Sequence, residues 1–179
     1  MTELDKKQHA IAPDVLEDVL GHRLDVVFCG TAAGKKSASL GLPYAGPGNK
    51  FWGTLHAIRL TDRQLSPADF KLLPEFKLGL TDVAKRSSGA DSELSAADFD
   101  GSRLEEHLLN FAPRVIAFNG KKAASAFSGK PTGELLYGRQ ETAIAETIVW
   151  VLPSTSGAAS RYWNLELWHE LAAFIRLSK

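Results

Sequence analysis

The stretch Asp25 to Lys36, DVVFCGTAAGKK, constrains the fold more than any other part of the chain. Asp25, Val26, Val27, Phe28 and Cys29 read as a buried strand. It runs straight into a loop of Gly, Ala and Thr that carries no strongly reactive side chain until two lysines close it. A strand end that opens into a small-residue loop is where an α/β protein brings a ligand close to its backbone.

The segments around this stretch repeat the pattern. Before it, PDVLEDVL places Val15, Leu16, Val19 and Leu20 at helical spacing, with Pro13 near the first turn and Gly21 as a stop, so a short helix is expected. After it, residues 30–50 hold five glycines with Pro43 and Pro47 and little periodicity, which predicts a long functional loop. Asn49 is placed to cap a helix through Phe51, Trp52, Leu55 and Ile58, and a second short helix is expected over Asp69 to Leu73. Leu78 to Val83 reads as a second buried strand with Asp82 near its end, followed by a basic and then flexible loop, KRSSGADSEL. Ser95 to Asn110 is expected to be helical, Arg114 to Phe118 a strand, Lys121 to Phe127 a helix and Lys130 to Gly138 a loop. Ile148 to Leu152 is a further strand, STSGAAS a second small-residue loop, and Tyr162 to Leu177 an amphipathic helix.

Strands alternating with helices at this spacing imply a mainly parallel sheet covered on both faces. Three strand ends then gather their loops, 30–36, 82–90 and 153–161, on one rim. The length of 179 residues suits one domain over 1–179, with 1–11 polar and expected to fray.

Charge and cysteine usage narrow the function classes. Lys+Arg and Asp+Glu balance at 21 each, so any nucleic-acid contact must rest on a local patch rather than on net charge. The lone cysteine, Cys29, lies inside a strand, can form no internal disulfide and reads as a buried structural thiol, consistent with a cytoplasmic protein. No apolar run approaches the ~18 residues of a membrane span, and the polar start is not a signal peptide. The five histidines match no metal spacing, so no metal or other cofactor is expected.

Three loops carry the candidate chemistry. GTAAGKKS departs from the phosphate-binding P-loop, because three residues rather than four separate Gly30 from Gly34 and two lysines follow. A triphosphatase is therefore disfavoured, although a small-nucleotide enzyme using the Gly30 loop is a distinct class to test. LPYAGPGNKFW holds Tyr44 in a rigid Pro/Gly loop, as a stacking platform for a flat ring or simply as core. PSTSGAASR is a small-residue loop ending in Arg161 and Tyr162, able to approach a nucleic-acid backbone or merely to connect strand to helix with Ser160 as a cap.

Taken together, VVFCG-x-x-x-G, LPYAGPGNKFW, LTDRQLSP, GLTD, WVLPS and SGxxSR occur in the order found in mismatch-specific uracil/thymine-DNA glycosylases, and the chain resembles that family, within the uracil-DNA glycosylase superfamily, from PDVLEDVL to the last helix. The resemblance implies a three-layer α/β/α sandwich with a mainly parallel central sheet, an activity on uracil-containing DNA, no cofactor, and a monomer. Two motifs depart from the family. Its first motif usually reads GINPG, with the Asn positioning the attacking water, and here those positions are Ala32 and Ala33. Its second usually reads NPSG, and here it is Ser154-Thr155-Ser156-Gly157, with Ala158 and Ala159 where a bulky wedge would enter the base stack, leaving Arg161 or Tyr162 to fill the gap.

Hydrolysis of a base–deoxyribose bond develops positive charge on the sugar and negative charge on the base, so it favours a carboxylate on one side and N–H donors on the other. Asp82, at a position where some relatives have a non-acidic residue, is assigned the role of the missing Asn. The competing reading is that it caps the next segment or pairs with Lys85 or Arg86. Asp25 and Asp91 are weaker candidates. The base-binding set is Thr31, Ala32 and Gly34, with Tyr44 stacking and Asn49 or Ser156 reading an edge. The DNA-binding set is Lys35, Lys36, Ser154, Gly157, Ala158, Ala159, Ser160 and Arg161. A small-residue wedge recovers little of the few kcal/mol needed to extrude a base, so single-stranded or mismatched uracil is the expected substrate. The loss of the Asn at Ala32 keeps a non-catalytic binder of damaged DNA as the alternative.

Overall fold

A computed structural model describes residues 12–177 of the chain. The fraying expected for 1–11 lies outside these residues. Among them the sheet has five strands: β1 (Val26–Ala33), β2 (Leu78–Ser88), β3 (Val115–Asn119), β4 (Gly138–Ile144) and β5 (Thr147–Leu152), in the order β2-β1-β3-β5-β4. The first four in that order run parallel, and β4 pairs antiparallel with β5 at one edge. The helices are α1 (Lys35–Leu40), α2 (Phe51–Ala57), α3 (Gly101–Phe111), α4 (Lys121–Ser128) and α5 (Leu165–Leu177).

The strands alternate their side chains between two cores, as a sheet covered on both faces requires. Val26, Phe28, Leu78, Leu80, Val115, Ala117, Trp150 and Leu152 face α2, α5 and the 3-10 segment Pro67–Phe76. Val27, Cys29, Val83, Ile116, Phe118, Val149 and Val151 face α3 and α4. The first core is aromatic: the Phe28 ring stacks on Trp168 at 5.6 Å and meets Phe51 edge-on at 5.4 Å. The result is the expected three-layer α/β/α sandwich around a mainly parallel sheet.

Several elements differ from the sequence expectation, each for a local reason. PDVLEDVL is not helical. Val15 N–H donates to the Lys85 carbonyl at 2.7 Å, and Val19 and Leu80 exchange N–H to carbonyl bonds of 2.9 and 2.8 Å, so the segment lies as a strap along the outer edge of β2. Its apolar residues fell at helical spacing, yet sheet-edge bonds and the capture of Asp14 and Asp18 by cations decide its path. The loop expected over 30–50 is shortened, because β1 continues to Ala33 and α1 follows at Lys35. β2 likewise runs to Ser88 rather than Val83.

The helix expected from Ser95 begins at Gly101. The Ser-x-x-Asp signal at Ser95 belongs to a separate 3-10 turn, in which Asp98 Oδ2 accepts from Ser95 N and Oγ at 2.7 and 2.8 Å, and Asp100 caps α3 by accepting from Arg103 N at 3.1 Å. β4 was not foreseen, since GRQETAI is polar and mostly exposed, as an edge strand can be. The last helix starts at Leu165 rather than Tyr162, with Asn164 Oδ1 accepting from Glu166 N at 3.0 Å, while Gly157–Tyr162 forms a 3-10 turn.

Candidate active site

The carboxyl ends of β1, β2, β3 and β5 open into one cleft of about 1210 Å³. Their parallel direction places all four following loops there, the arrangement in which open α/β sheets bind ligands. Gly30 of β1 stands directly opposite Asp82 of β2 in the parallel register. Asp82 Oδ1 and the Tyr44 hydroxyl occupy the space that a side chain at Gly30 would need, the hydroxyl oxygen lying 3.3 Å from where its Cβ would stand. Glycine at position 30 is therefore what lets the carboxylate and the phenol converge.

Asp82 keeps partial access to the cleft, yet among the described residues no side chain or backbone group makes a hydrogen bond or ion pair to its carboxylate. Lys85 pairs instead with Asp18 at 2.6 Å, and Arg86 lies 3.5 Å from Asp100. Desolvation pushes the Asp82 carboxyl up to about 6, with the Lys85 ammonium opposing the shift and the Asp18 charge adding to it. The other two carboxylate candidates differ. Asp25 sits at the opposite end of β1, 4.0 Å from Arg114, and Asp91 is exposed on the cleft wall.

Tyr44 adopts a left-handed backbone conformation with φ of 54°, which turns its ring inward. The ring stacks on Phe51 at 4.0 Å and 22°, so Tyr44 is both part of the core edge and part of the cleft lining. Its hydroxyl is enclosed and, among the described residues, has no hydrogen-bond partner. Burial, and after it the Asp82 charge, drives the phenol far above the ordinary tyrosine range, while the neighbouring Asn119 side chain pulls the other way. Asn119 itself is committed elsewhere: Nδ2 donates to Thr155 Oγ1 at 2.9 Å and Oδ1 accepts from Thr155 N at 3.0 Å. This buried latch ties the loop after β5 to the end of β3. Gly120, with φ of 114°, leaves the room in which Ser154 closes over it.

Of the residues singled out in the sequence, Asp82, Thr31, Ala32, Gly34, Tyr44, Asn49, Ser156, Lys35, Ser154, Gly157, Ala158 and Ala159 all line the cleft, whereas Lys36, Ser160 and Arg161 do not. Asn49 uses its carbonyl to accept from Phe51 N at 3.0 Å at the start of α2, which leaves its amide as the free edge. Lys35 pairs with Glu93 across the mouth, and Ser160 accepts from Lys50 Nζ at 2.9 Å. The sequence reading missed Asn119, Lys121, Lys122 and Tyr137, which also line the cleft. Asn119-Gly120 sits at the carboxyl end of β3, on the rim that Gly30 and Asp82 also face, and that position was the available signal. Nothing local marked Tyr137, whose ring lies 4.6 Å from Lys121 Nζ.

A family model described as "Uracil DNA glycosylase superfamily" matches residues 18–177. The chain belongs to the uracil DNA glycosylase superfamily. Among solved structures, it is similar to the solution NMR structure of a "putative Uracil DNA glycosylase" from Methanosarcina acetivorans, with 28% identity and a TM-score of 0.61 over 92% of this chain and 97% of that one. In this superfamily member the cleft is thus lined by backbone and small side chains from β1, a carboxylate from β2, and a ring from the loop between α1 and α2. Such a pocket can hold a flat polar ring and present an ionisable oxygen beside it. Membership supports a role as a DNA glycosylase acting on DNA.

Proposed function

We propose that this DNA glycosylase is monofunctional and hydrolyses the N-glycosidic bond of uracil in DNA, leaving an abasic site. The observation that carries the reading is Asp82 opposite Gly30: a carboxylate of β2 that opens onto the cleft, without a hydrogen-bond or ion-pair partner among the described residues, facing small residues where a base would lie. Ionised Asp82 is the group for the sugar side. It orients a water toward C1′, stabilises the positive charge that develops as the bond to the base breaks, and accepts the water proton. The base departs with the bonding electrons, stabilised by backbone N–H donors of the stretch from Thr31 to Gly34 at the end of β1. Tyr44 offers its ring, and the Asn49 amide and Ser156 offer polar edges.

The base must leave the helix to reach this pocket. Ala158 and Ala159, at the cleft edge, supply no bulky wedge, so single-stranded or mismatched uracil is the preferred substrate. In this reading the protein acts as a monomer on cytoplasmic DNA. Ala32 favours a second reading, a binder of damaged DNA that does not cut, because an alanine holds no water.

A base-release assay over uracil, thymine, hypoxanthine and xanthine, in single strands and mismatched duplexes, tests both. Uracil release with an abasic product, lost in Asp82→Asn, is expected. Retained affinity for uracil-DNA without product would favour the binder. Equal or faster turnover on a fully paired U·A duplex would remove the strand preference.

A further inference from the structure

The cleft has two walls of opposite charge, and the proposed reaction leaves the basic one unused. The acids that line it, Glu17, Asp82, Asp91 and Glu93, come from β2, the strap beside it and the turn after it. Of the lysines that line it, Lys35 is spent on Glu93 and Lys85 on Asp18. Lys121 and Lys122, at the start of α4, make no ion pair among the described residues. Rings hold them instead. Lys121 Nζ lies 4.6 Å from the centre of the Tyr137 ring, and Lys122 Nζ lies 5.6 Å from that of Phe99. A ring fixes an ammonium over its face without cancelling its charge, so this wall presents positive charge to whatever enters.

Tyr162 borders the same cleft. Its ring is 63% exposed and, among the described residues, stacks on no other aromatic ring, with only the Arg161 guanidinium 5.9 Å from its centre. Burial raises the Tyr137 phenol above its ordinary range, and Tyr162 adds to the rise, as a second phenol on the same wall does. Of the two residues that the sequence offered for the gap left by Ala158 and Ala159, Tyr162 lines the cleft and Arg161 does not. The turn that carries Tyr162 is braced at both ends of its length. Lys50 donates from its backbone N–H to the Thr155 carbonyl and from Nζ to Ser160 Oγ, each at 2.9 Å, and Gly157 lies so close to the Pro47 carbonyl that a Cβ there would meet it at 3.2 Å. A large exposed ring on a fixed turn is a platform that loses little freedom when another flat ring covers it.

We propose that this wall seats the nucleotide next to the uracil in a single strand: its base stacks on Tyr162, and its phosphate is taken by Lys122 and by Lys121, which Tyr137 steers. The inference rests on the reading of the protein as one that acts on uracil in DNA, and it gives that reading a source for its strand preference. In a duplex the neighbouring base is already stacked and paired, so only an unpaired strand gains the full benefit of the platform. Backbone charge and stacking are the two terms by which proteins hold single strands, and the wall supplies both.

The probe is a single-stranded oligonucleotide with a tetrahydrofuran abasic analogue at the uracil position and 2-aminopurine on one flank or the other. It holds no base to excise, so binding is read without turnover. With the wild type, 2-aminopurine fluorescence should be quenched on one of the flanks. Tyr162→Ala should abolish the quenching and weaken affinity by about 5- to 150-fold, the worth of one base stacked on an aromatic side chain, and Tyr162→Phe should keep both. The loss should be smaller on the same probe annealed to its complement. Lys121→Gln and Lys122→Gln should leave the quenching in place and each lower the slope of log affinity against log salt by about 0.7, as the loss of one phosphate contact to a single strand does.

Absence of quenching on both flanks, or a Tyr162→Ala variant that binds and quenches as the wild type does, overturns the platform. An equal loss on the paired probe overturns its part in strand choice, and an unchanged salt slope in both lysine variants overturns the phosphate seat. If the wild type binds the probe as stated but releases no uracil from DNA, the glycosylase reading fails and the wall stands as a single-strand-binding surface. If Tyr162→Ala releases uracil at the wild-type rate and binds the probe with unchanged affinity, the wall fails and the glycosylase reading stands.

Discussion

The two ends of the sheet hold two aspartates on neighbouring strands, and their surroundings are opposites. Asp25, at the start of β1, has the Arg114 guanidinium at 4.0 Å, and Arg114 is itself anchored by donating to the Ile175 and Phe174 carbonyls at 3.1 and 3.3 Å. Asp82, on β2 at the far end, faces Gly30 and the Tyr44 hydroxyl with no hydrogen bond or ion pair among the described residues. One end of the sheet neutralises its acid and is finished as structure. The other leaves an acid unsatisfied in a cleft, a condition that native interiors tolerate where chemistry needs it.

The sharpest way to break this contrast is to remove each charge in turn. Asp82→Asn should lower the single-turnover rate of uracil release by about 10²–10⁴-fold; a variant within a few-fold of wild type would strip Asp82 of its role. Changing pH titrates the same charge. With the Asp82 carboxyl at about 6, the ionised form that the proposed reaction uses is lost as pH falls, so kcat/KM should drop about tenfold for each unit below that point. A profile flat down to pH 4 would mean that another group acts.

Gly30→Ala places a methyl in collision with Asp82 Oδ1. Displacing the carboxylate by about an ångström should reduce the rate by up to about 10²-fold, and an unaffected rate would show that the convergence at Gly30 is incidental.

Stability should run the other way from activity. Folding raises the Asp82 carboxyl from its ordinary value of 3.8 to about 6, so the native state binds the proton more tightly than the unfolded chain does. The associated stability is fully present below about pH 4 and is lost as pH rises through 6. At pH 7 the buried charge costs up to about 3 kcal/mol. Asp82→Asn should recover part of this in denaturant melts at neutral pH, with the gain over wild type disappearing near pH 4. A destabilised variant at pH 7 would mean that the carboxylate is satisfied after all. The smallest effect is expected from Asp25→Asn: a loss of about 1 kcal/mol or less, with uracil release unchanged.

This contrast also marks how far the sequence could be read. The place of Asp82 on the cleft was legible because GLTD closes an apolar run on the rim where small-residue loops gather, and the alternation of apolar runs with helical stretches was enough for the sandwich and its parallel sheet. What the sequence concealed was set by partners distant in the chain. PDVLEDVL carries a helical pattern, yet Asp14 and Asp18 answer to Arg103 and Lys85, 89 and 67 positions away by their numbers. Its backbone bonds belong to β2. The bulge at Lys85, where β1 and β2 change register, leaves no mark in composition, since KRSS reads as an exposed basic loop when its pairing with Ala33 is unseen. Asn119 passed as a turn residue because its latch to Thr155 spans 36 positions.

The strap along β2 has one more consequence. By occupying positions at Val15 and Val19 it covers backbone N–H and C=O groups that a bare edge strand would offer to any passing chain. Cleavage on its carboxyl side, near Gly21, would therefore do two things at once. It would withdraw Asp18 from Lys85, and it would turn β2 into an open template for self-association, so a nicked molecule would leave solution as an aggregate rather than persist as a soluble but silent enzyme.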